Sequence, residues 1–382
     1  MKRIIPTLLL LFCFGASHGQ VEYIEIPSAK FDAPRKVKLQ LPRSYNDKKD
    51  KKYPVIIVLD GNYLFEPVAG NVDYFSYWED MPEAIVIGVL HDDRQADTAY
   101  SEDTDLPTGS GAAFFEFIGM DLYSWLAKNY RISNFNMIVG HDLTANFANY
   151  YLLKEVPLFN AYISLSPDLV PEMAEWLTTT LTNMDRKIFY YQATGSDDIE
   201  SLREGVKTLD TRLEQLQDAN FKYYFDDFEG ANHYTLAARA IPNAIEKVFS
   251  VFKPISKQEY EDVILKLDSS PYEYLVEKYQ TIEDLFDLTE TIRVNDFIAI
   301  SQALEQKSDW EELLKLGKLA QKQYPGTTMG YYFTALSQEG LGEPKKALRT
   351  YQSAFPMNEL GGISEDFLMM KAEAIKRDFG YN

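Results

Sequence analysis

Near the start of this chain, hydrophobic and polar residues alternate along two segments, and continuous apolar runs follow these segments. Residues 21–26 and 35–42 alternate apolar with polar side chains, which predicts two half-buried strands that form an antiparallel edge around a turn at 32–34. Mainly apolar runs follow at 53–62, 84–90, 135–140, 159–168, 187–195 and 221–228. Such runs are typical of parallel strands that are covered on both faces.

Helical patterns separate several of these runs. Residues 111–130 carry their apolar side chains on one stripe, and a second helical segment spans 201–218. Strands that alternate with helices over about 230 residues predict an α/β fold with a doubly wound, mostly parallel sheet. Polar residues follow several strands, so we expect a site at the carboxyl edge of that sheet.

The pattern changes near Pro254, after which only helical segments are apparent. This divides the chain into an α/β domain at 20–253 and an all-α domain at 254–382.

Two sets of residues in the all-α domain are related by a spacing of 34 residues. The clearer set is Tyr331, Ala335, Gly342, Ala347, Tyr351 and Ala354, and a weaker set one period earlier is Phe297, Ser301, Ala320 and Pro325. The spacing predicts tetratricopeptide-like hairpins. Ordinary packing of small against large residues between paired helices is the alternative. Stacked hairpins form concave surfaces, so a protein or peptide partner is expected there.

The N-terminus has the layout of a secretory signal peptide at residues 1–19. Lys2 and Arg3 precede an apolar run at 8–14, and small residues lead to a cleavage site after Gly19. The run is shorter than the roughly 18 residues that cross a bilayer, which argues against the alternative of a membrane anchor. We therefore expect a periplasmic or secreted protein with no integral membrane segment after cleavage. Cleavage would also remove Cys13, the one cysteine.

Charge and metal-ligand patterns exclude several classes of function. The formal charge is −20, and it becomes about −22 when Lys2 and Arg3 are removed. Such a surface repels nucleic acid and anionic membranes, so neither is an expected partner. His91 lies beside Asp92 and Asp93, but no second histidine is near in the sequence, and a solvated loop is the favoured interpretation. No metal and no cofactor are expected.

Residues 135–151 form the segment with the clearest chemical meaning. They predict a buried strand, a tight turn and a helix, with Gly140, Asp142 and Thr144 in the turn. A nucleophile elbow has this layout, with a G-x-S-x-G sequence that raises a serine above the sheet. Here an aspartate occupies the serine position, and a threonine occupies the second glycine position.

Several short motifs occur together with this elbow, in a fixed order. They are 53–61, 88–89 with 93–98, 114–131, 140–141, 166–167 and 229–233. With them, residues 21–252 resemble the α/β-hydrolase family of enterobactin esterases and S-formylglutathione hydrolases. A helical extension after such a domain resembles secreted proteins of Bacteroidetes-type bacteria.

The resemblance implies a role for each site residue. The family's base falls on His233, and its supporting carboxylate falls on Asp198, with Asp197 as the alternative. Backbone donors of the oxyanion hole would come from the loop at Gly61-Asn62 and from Leu143, and the nucleophile position falls on Asp142.

Asp142 changes the chemistry that this arrangement can perform. A carboxylate has a conjugate-acid pKa of about 3.9, far below that of an alkoxide, so an acyl intermediate formed on it would revert to substrate. We also expect Asp142 to pair with His233, and we expect Thr144 to relax the turn. The sequence therefore predicts an esterase-like binding or scaffold protein with a degenerate elbow, whose cleft takes a small molecule or glycan.

Catalysis remains open by three other routes. The Asp142 carboxylate could attack an alkyl halide or an epoxide, as in enzymes of the same fold that use an aspartate. His233 could activate water for the hydrolysis of small-molecule esters. A hydroxyl of Thr144, Ser164 or Ser166 could replace the missing serine.

Overall fold

The computed structural model describes residues 21–381. The expected signal peptide at 1–19 lies outside these residues. Within the described part of the chain, no helix has both the length and the apolar character that crossing a membrane requires.

One eight-stranded sheet organises the first two thirds of the chain. Its strands are β1 (Val21–Ile26), β2 (Arg35–Gln40), β3 (Tyr53–Val58), β4 (Ile85–Val89), β5 (Ile132–His141), β6 (Ala161–Leu165), β7 (Ile188–Asp197) and β8 (Phe221–Asn232). The order across the sheet is β1-β2-β4-β3-β5-β6-β7-β8. β2 pairs antiparallel with β1 and β4, and the six strands β3 to β8 are parallel. The predicted mostly parallel sheet with an antiparallel edge is confirmed.

Helices cover both faces of this sheet. They are α1 (Phe65–Tyr77), α2 (Arg94–Asp97), α3 (Ser110–Glu116), α4 (Tyr123–Asn129), α5 (Leu143–Leu152), α6 (Met173–Leu181), α7 (Glu200–Leu213) and α8 (His233–Val248). A π-helical segment, Phe117–Leu122, joins α3 to α4. Ile56 and Val58 of β3 belong to the core on one face, and Val55 and Ile57 belong to the core on the other. Because consecutive strand residues point to opposite faces, both faces must be apolar, which explains the continuous runs.

The C-terminal region is helical. Its helices are α9 (Lys257–Asp262), α10 (Pro271–Phe286), α11 (Val294–Lys307), α12 (Trp310–Gln323), α13 (Thr328–Gly340), α14 (Pro344–Ser353) and α15 (Glu365–Phe379). The first residues of α11 and α13, Val294 and Thr328, are 34 positions apart, and so are those of α12 and α14, Trp310 and Pro344. The expected helix-rich region is confirmed, and its assignment to tetratricopeptide-like repeats stays a prediction.

The helical region and the sheet share one continuous core. The ring of Phe286, at the end of α10, lies 4.9 Å from Phe135 of β5 and 5.4 Å from Phe249, measured between centroids. The neighbouring Asp287 carboxylate accepts a hydrogen bond of 3.2 Å from the backbone N–H of Asn134. The helical region therefore packs directly against the sheet, and the division of the chain at 253/254 stays a prediction.

Candidate active site

Polar side chains collect where the parallel strands end, at one edge of the sheet. Asp60 follows β3, Arg94 follows β4, Asp142 follows β5, Asp198 follows β7, and His233 follows β8. Parallel strands place their carboxyl ends at the same edge, and ligands of open α/β sheets bind there.

Asp142 occupies a tight turn between β5 and α5. Its backbone has φ 59° and ψ −122°, which is sparsely populated for residues other than glycine. Gly140 lets the helix approach, because a Cβ at this position would lie 2.6 Å from the carbonyl carbon of Thr144. The Thr144 hydroxyl accepts the N–H of His141 at 2.9 Å and donates to the Asp60 carboxylate. The expectation that Thr144 relaxes the turn is therefore wrong, since its hydroxyl links the elbow to Asp60.

The Asp142 carboxylate is bound by an arginine. Nη1 of Arg94 donates to Oδ2 of Asp142 at 2.9 Å, and Nε of Arg94 donates to Oδ1 of Asp60 at 2.7 Å. Nη2 of Arg94 also donates to the carbonyl oxygen of His141 at 2.7 Å. Burial opposes the arginine charge, but the carboxylates of Asp60 and Asp142 raise the pKa of Arg94 above its ordinary value. The expected pairing of Asp142 with His233 is wrong, because Arg94 takes this carboxylate.

His233 is held by Asp198 rather than by Asp197. Nδ1 of His233 lies 2.9 Å from Oδ1 of Asp198, whose carboxylate also accepts from the Ile199 N–H at 2.8 Å and from the Thr194 hydroxyl at 3.0 Å. Burial favours the neutral acid, but these hydrogen bonds together lower the pKa of Asp198 below its ordinary value. Because Nδ1 faces Asp198, Nε2 is the imidazole nitrogen left for a bound molecule.

His141 contacts the backbone of His233. Its Nδ1 lies 2.9 Å from the Tyr63 hydroxyl, and its Nε2 lies 3.1 Å from the backbone carbonyl oxygen of His233. The two imidazole rings are 4.4 Å apart. Burial and the neighbouring His233 lower the pKa of His141 to about 4, so it is neutral at pH 7. Its contacts position the backbone of His233, which fits a structural role.

The three hydroxyls considered as substitute nucleophiles are all inaccessible. Thr144, Ser164 and Ser166 are each at most 1% exposed. Ser166 comes nearest to the imidazole, with its Oγ 3.3 Å from Nδ1 of His233. That nitrogen is the one occupied by Asp198, so Ser166 cannot transfer its proton to the nitrogen that faces the cleft.

The two segments expected to provide oxyanion donors follow strands β3 and β5. Leu143 is the first residue of α5, where a backbone N–H has no partner within the helix. Asn62 is exposed in the loop after β3, and its Oδ1 accepts the N–H of His91 at 2.9 Å. The contacts of the Asn62 side chain hold this loop against His91, and the oxyanion role of the two backbone segments stays a prediction.

His91 differs from the sequence-based expectation. Its side chain is 4% exposed, and its Nδ1 lies 2.8 Å from Oδ2 of Asp97. Arg35, from the antiparallel edge, forms an ion pair with the same carboxylate. The predicted solvated loop is wrong for this side chain. Across residues 21–381 no group of histidine, cysteine and carboxylate side chains is arranged to hold a metal ion.

Two cleft residues were missed from the sequence. The sequence places Arg94 in the motif at 93–98 but does not indicate that its guanidinium binds the Asp142 carboxylate. Asp168 is exposed after β6, and its backbone N–H donates to the carbonyl oxygen of Asp142 at 3.3 Å. Neighbouring protein atoms still shield its carboxyl group in part from water, and this desolvation, together with the charge of Asp142, raises the pKa of Asp168. Its place in Ser166-Pro167-Asp168, directly after a strand, was the available signal.

A family model described as "Putative esterase" matches residues 28–244. The chain belongs to this esterase family. No curated protein matches the chain. Among solved structures, an uncharacterised protein from Capnocytophaga ochracea is 29% identical, with a TM-score of 0.86, and the match covers 94% of this chain and 100% of that one.

Other solved structures similar to this esterase-family chain are more distant. An IroE-like serine hydrolase from Shewanella oneidensis is 18% identical with a TM-score of 0.60, over 79% of this chain and 99% of that one. The siderophore hydrolase EstA from Aspergillus nidulans is 14% identical with a TM-score of 0.52, over 66% and 99%. At these identities the similarity establishes the fold alone.

Proposed function

We propose that this esterase-family protein is a binding or scaffold protein that has lost acyl-transfer catalysis. One observation carries the proposal: the side chain at the elbow is the Asp142 carboxylate, bound by Arg94. An esterase of this fold needs an alcohol there, which gives its proton to the histidine and then holds the acyl group.

The chemistry of the carboxylate supports this proposal. Attack of Asp142 on an ester would give an intermediate that can expel either the Asp142 carboxylate or the substrate's alkoxide. The carboxylate is by far the better leaving group, so the intermediate returns to the ester and formation of a mixed anhydride on Asp142 is unfavourable. The ion pair with Arg94 lowers the nucleophilicity of the carboxylate further, because attack would require that pair to loosen. Arg94 is itself fixed by Asp60, which is 1% exposed.

The charge of the cleft indicates which ligands fit. Asp60 and Asp142 share Arg94, and Asp168 adds a further carboxylate at the mouth. Exposed aromatic rings flank the site, since Tyr63 is 45% and Tyr234 is 85% exposed. Excess negative charge beside aromatic faces favours a neutral or cationic ligand and disfavours an anionic one.

A fluorophosphonate probe, read by intact mass, tests the loss of the nucleophile. Such a probe forms a stable adduct with an activated serine. We expect the wild-type protein to stay unmodified and the Asp142→Ser variant to gain one adduct. The control is Asp142→Ser combined with His233→Ala, which should lose the adduct. An adduct on the wild-type protein that depends on His233 would refute the proposal.

A hydrolase is the second candidate, and the intact pair of Asp198 and His233 favours it. His233 could activate water on an ester, or it could hydrolyse an alkyl ester that forms when Asp142 attacks an epoxide or a haloalkane. The variant His233→Gln separates these routes, since it traps an alkyl ester on Asp142. Incubation with epoxide and haloalkane panels, followed by peptide mass analysis, should give no adduct if the binding role is right. An adduct at Asp142 would instead support the hydrolase.

Location and partner complete the proposal. We infer secretion or a periplasmic location from the signal-like residues 1–19, and N-terminal sequencing of the mature protein should begin at Gln20.

Helices α11 to α14 are proposed to bind a protein or peptide partner. The 34-residue offset between their helix pairs supports this role.

A further inference from the structure

A cavity lies at the edge of the sheet opposite to Asp142. Its volume is about 290 Å³. Arg43 and Ser44 in its wall precede β3, and Tyr77 and Glu79 precede β4, so it faces the amino ends of these strands. Arg293 closes it from the C-terminal region. It is therefore separate from the cleft that contains the elbow.

An exposed aromatic cluster, which we call the aromatic rim, adjoins this cavity through Tyr77, which is one of the lining residues. Tyr74, Tyr77 and Trp78 are 61%, 60% and 60% exposed. Their spacing of three and four residues places them on one side of the end of α1. The rings of Tyr77 and Trp78 are 5.2 Å apart and nearly perpendicular, at 86°. Several large aromatic side chains exposed together mark an interaction site.

The charged groups around the cavity balance one another. Arg43 donates two hydrogen bonds to Asp73, at 2.7 and 2.6 Å, and its guanidinium lies over the Tyr77 ring at 5.2 Å. Arg293 binds Glu79 at 3.1 Å. Lys51 lies 3.1 Å from Glu290 and 3.7 Å from Glu83. Paired charges leave little net attraction for an ion, but they offer many hydrogen-bond donors and acceptors.

We propose that this cavity and its aromatic rim bind a neutral oligosaccharide. The C–H faces of sugar rings stack on aromatic side chains, and the hydroxyl groups of a sugar match balanced donors and acceptors such as those of Arg43 and Glu79. A protein partner fits less well, because the cores of protein interfaces are depleted of charged residues and this wall is rich in them. The inference is independent of the function proposed for the elbow cleft.

Affinity electrophoresis of the full-length protein tests this site. The gels contain hydroxyethylcellulose, arabinoxylan or galactomannan as neutral polysaccharides, with polygalacturonate as the anionic comparison. We expect at least one neutral polysaccharide to retard the wild-type protein. The double variant Tyr77→Ala and Trp78→Ala should weaken binding roughly tenfold or more, as loss of a central aromatic contact does. Trp78→Phe keeps a stacking ring and should retain most of the binding.

The matched control is Tyr23→Ala, which removes a ring that is 70% exposed on the edge strand β1 and should leave retardation unchanged. Circular dichroism confirms that each variant is folded. The proposal is overturned if no neutral polysaccharide retards the protein, if only polygalacturonate does, or if the double variant binds as the wild type does. Loss of binding through Tyr234→Ala alone would place the sugar in the elbow cleft instead. A dimer that Tyr77→Ala dissociates, seen by light scattering, would assign the rim to a second copy of the chain.

Discussion

Nη1 of Arg94 lies 2.9 Å from Oδ2 of Asp142, and the same guanidinium binds the buried carboxylate of Asp60. The elbow carboxylate therefore belongs to a fixed three-residue network rather than to the imidazole of His233. This relationship explains how the turn holds an acidic side chain that does not pair with the neighbouring histidine. It also leaves the pair of His233 and Asp198 intact.

The network of Arg94, Asp60 and Asp142 predicts that substitutions at Asp142 and Arg94 lower the free energy of unfolding by different amounts. Asp142→Asn keeps the size of the side chain and leaves Arg94 paired with Asp60, so the free energy of unfolding should fall by about 1 kcal/mol or less. Arg94→Met leaves Asp60, which is 1% exposed, without its charge partner, and should cost about 3 kcal/mol or more. Urea denaturation at pH 7 measures both values. Equal costs would show that Asp60 does not depend on Arg94.

The packing at the elbow predicts opposite effects for two glycine substitutions. Gly140→Ala would place a Cβ 2.6 Å from backbone atoms of Thr144, so α5 must shift, and stability should fall by roughly 2 kcal/mol or more. Gly70→Ala is the control. It lies within α1 with no atom within 4 Å of the added Cβ, and it should stabilise the protein by up to about 1 kcal/mol. Thermal unfolding of both variants tests the pair, and an unchanged melting temperature for Gly140→Ala would contradict the tight elbow.

Much of the fold followed from the sequence because strand and helix patterns are local. The apolar run at 53–62 and the stripe at 111–130 each reflect the faces that one element buries. The parallel order of the strands then brought Asp142, Asp198 and His233 to one edge. The site was predictable in outline for the same reason.

Contacts between distant loops were not predictable. Arg94 and Asp142 are 48 positions apart, on loops after strands that are not neighbours in the sheet, so no local spacing indicates their pairing. His91 looked like part of a solvated acidic loop, but Arg35 from the antiparallel edge balances Asp97 and allows the histidine to be buried. The shared core at Phe286 was not predicted, because a shift in composition along the chain does not show whether the two regions pack against each other.

The lowered pKa of His141 predicts a pH dependence of stability. Its pKa is about 4 in the folded protein and 6.5 in a model peptide, so between these values the unfolded chain binds a proton that the folded protein does not. Stability should therefore fall as the pH drops from about 6.5 towards 4, by up to about 1.4 kcal/mol per pH unit from this residue. Urea denaturation across this range should show a shallower dependence for His141→Gln than for the wild type. Identical slopes would contradict a buried neutral His141.

The shared core predicts that the helical region and the sheet unfold together. Phe286 is fully buried between Phe135 and Phe249, so Phe286→Ala should cost about 3–5 kcal/mol. Calorimetry should show one transition that shifts as a whole. Phe379→Ala, at a ring that is 57% exposed, is the control and should have little effect. Two transitions, with only one of them shifted, would show that the two regions unfold separately.

The rate of ester hydrolysis tests the central claim most directly. We would measure kcat/KM for p-nitrophenyl butyrate with the wild type, His233→Ala, Asp142→Ser, and Asp142→Ser combined with His233→Ala. The carboxylate at the elbow predicts that the wild type and His233→Ala are indistinguishable, and that Asp142→Ser gains turnover that His233→Ala removes. Wild-type turnover that His233→Ala abolishes would contradict the account, because it would mean that the site catalyses ester hydrolysis with Asp142 in place.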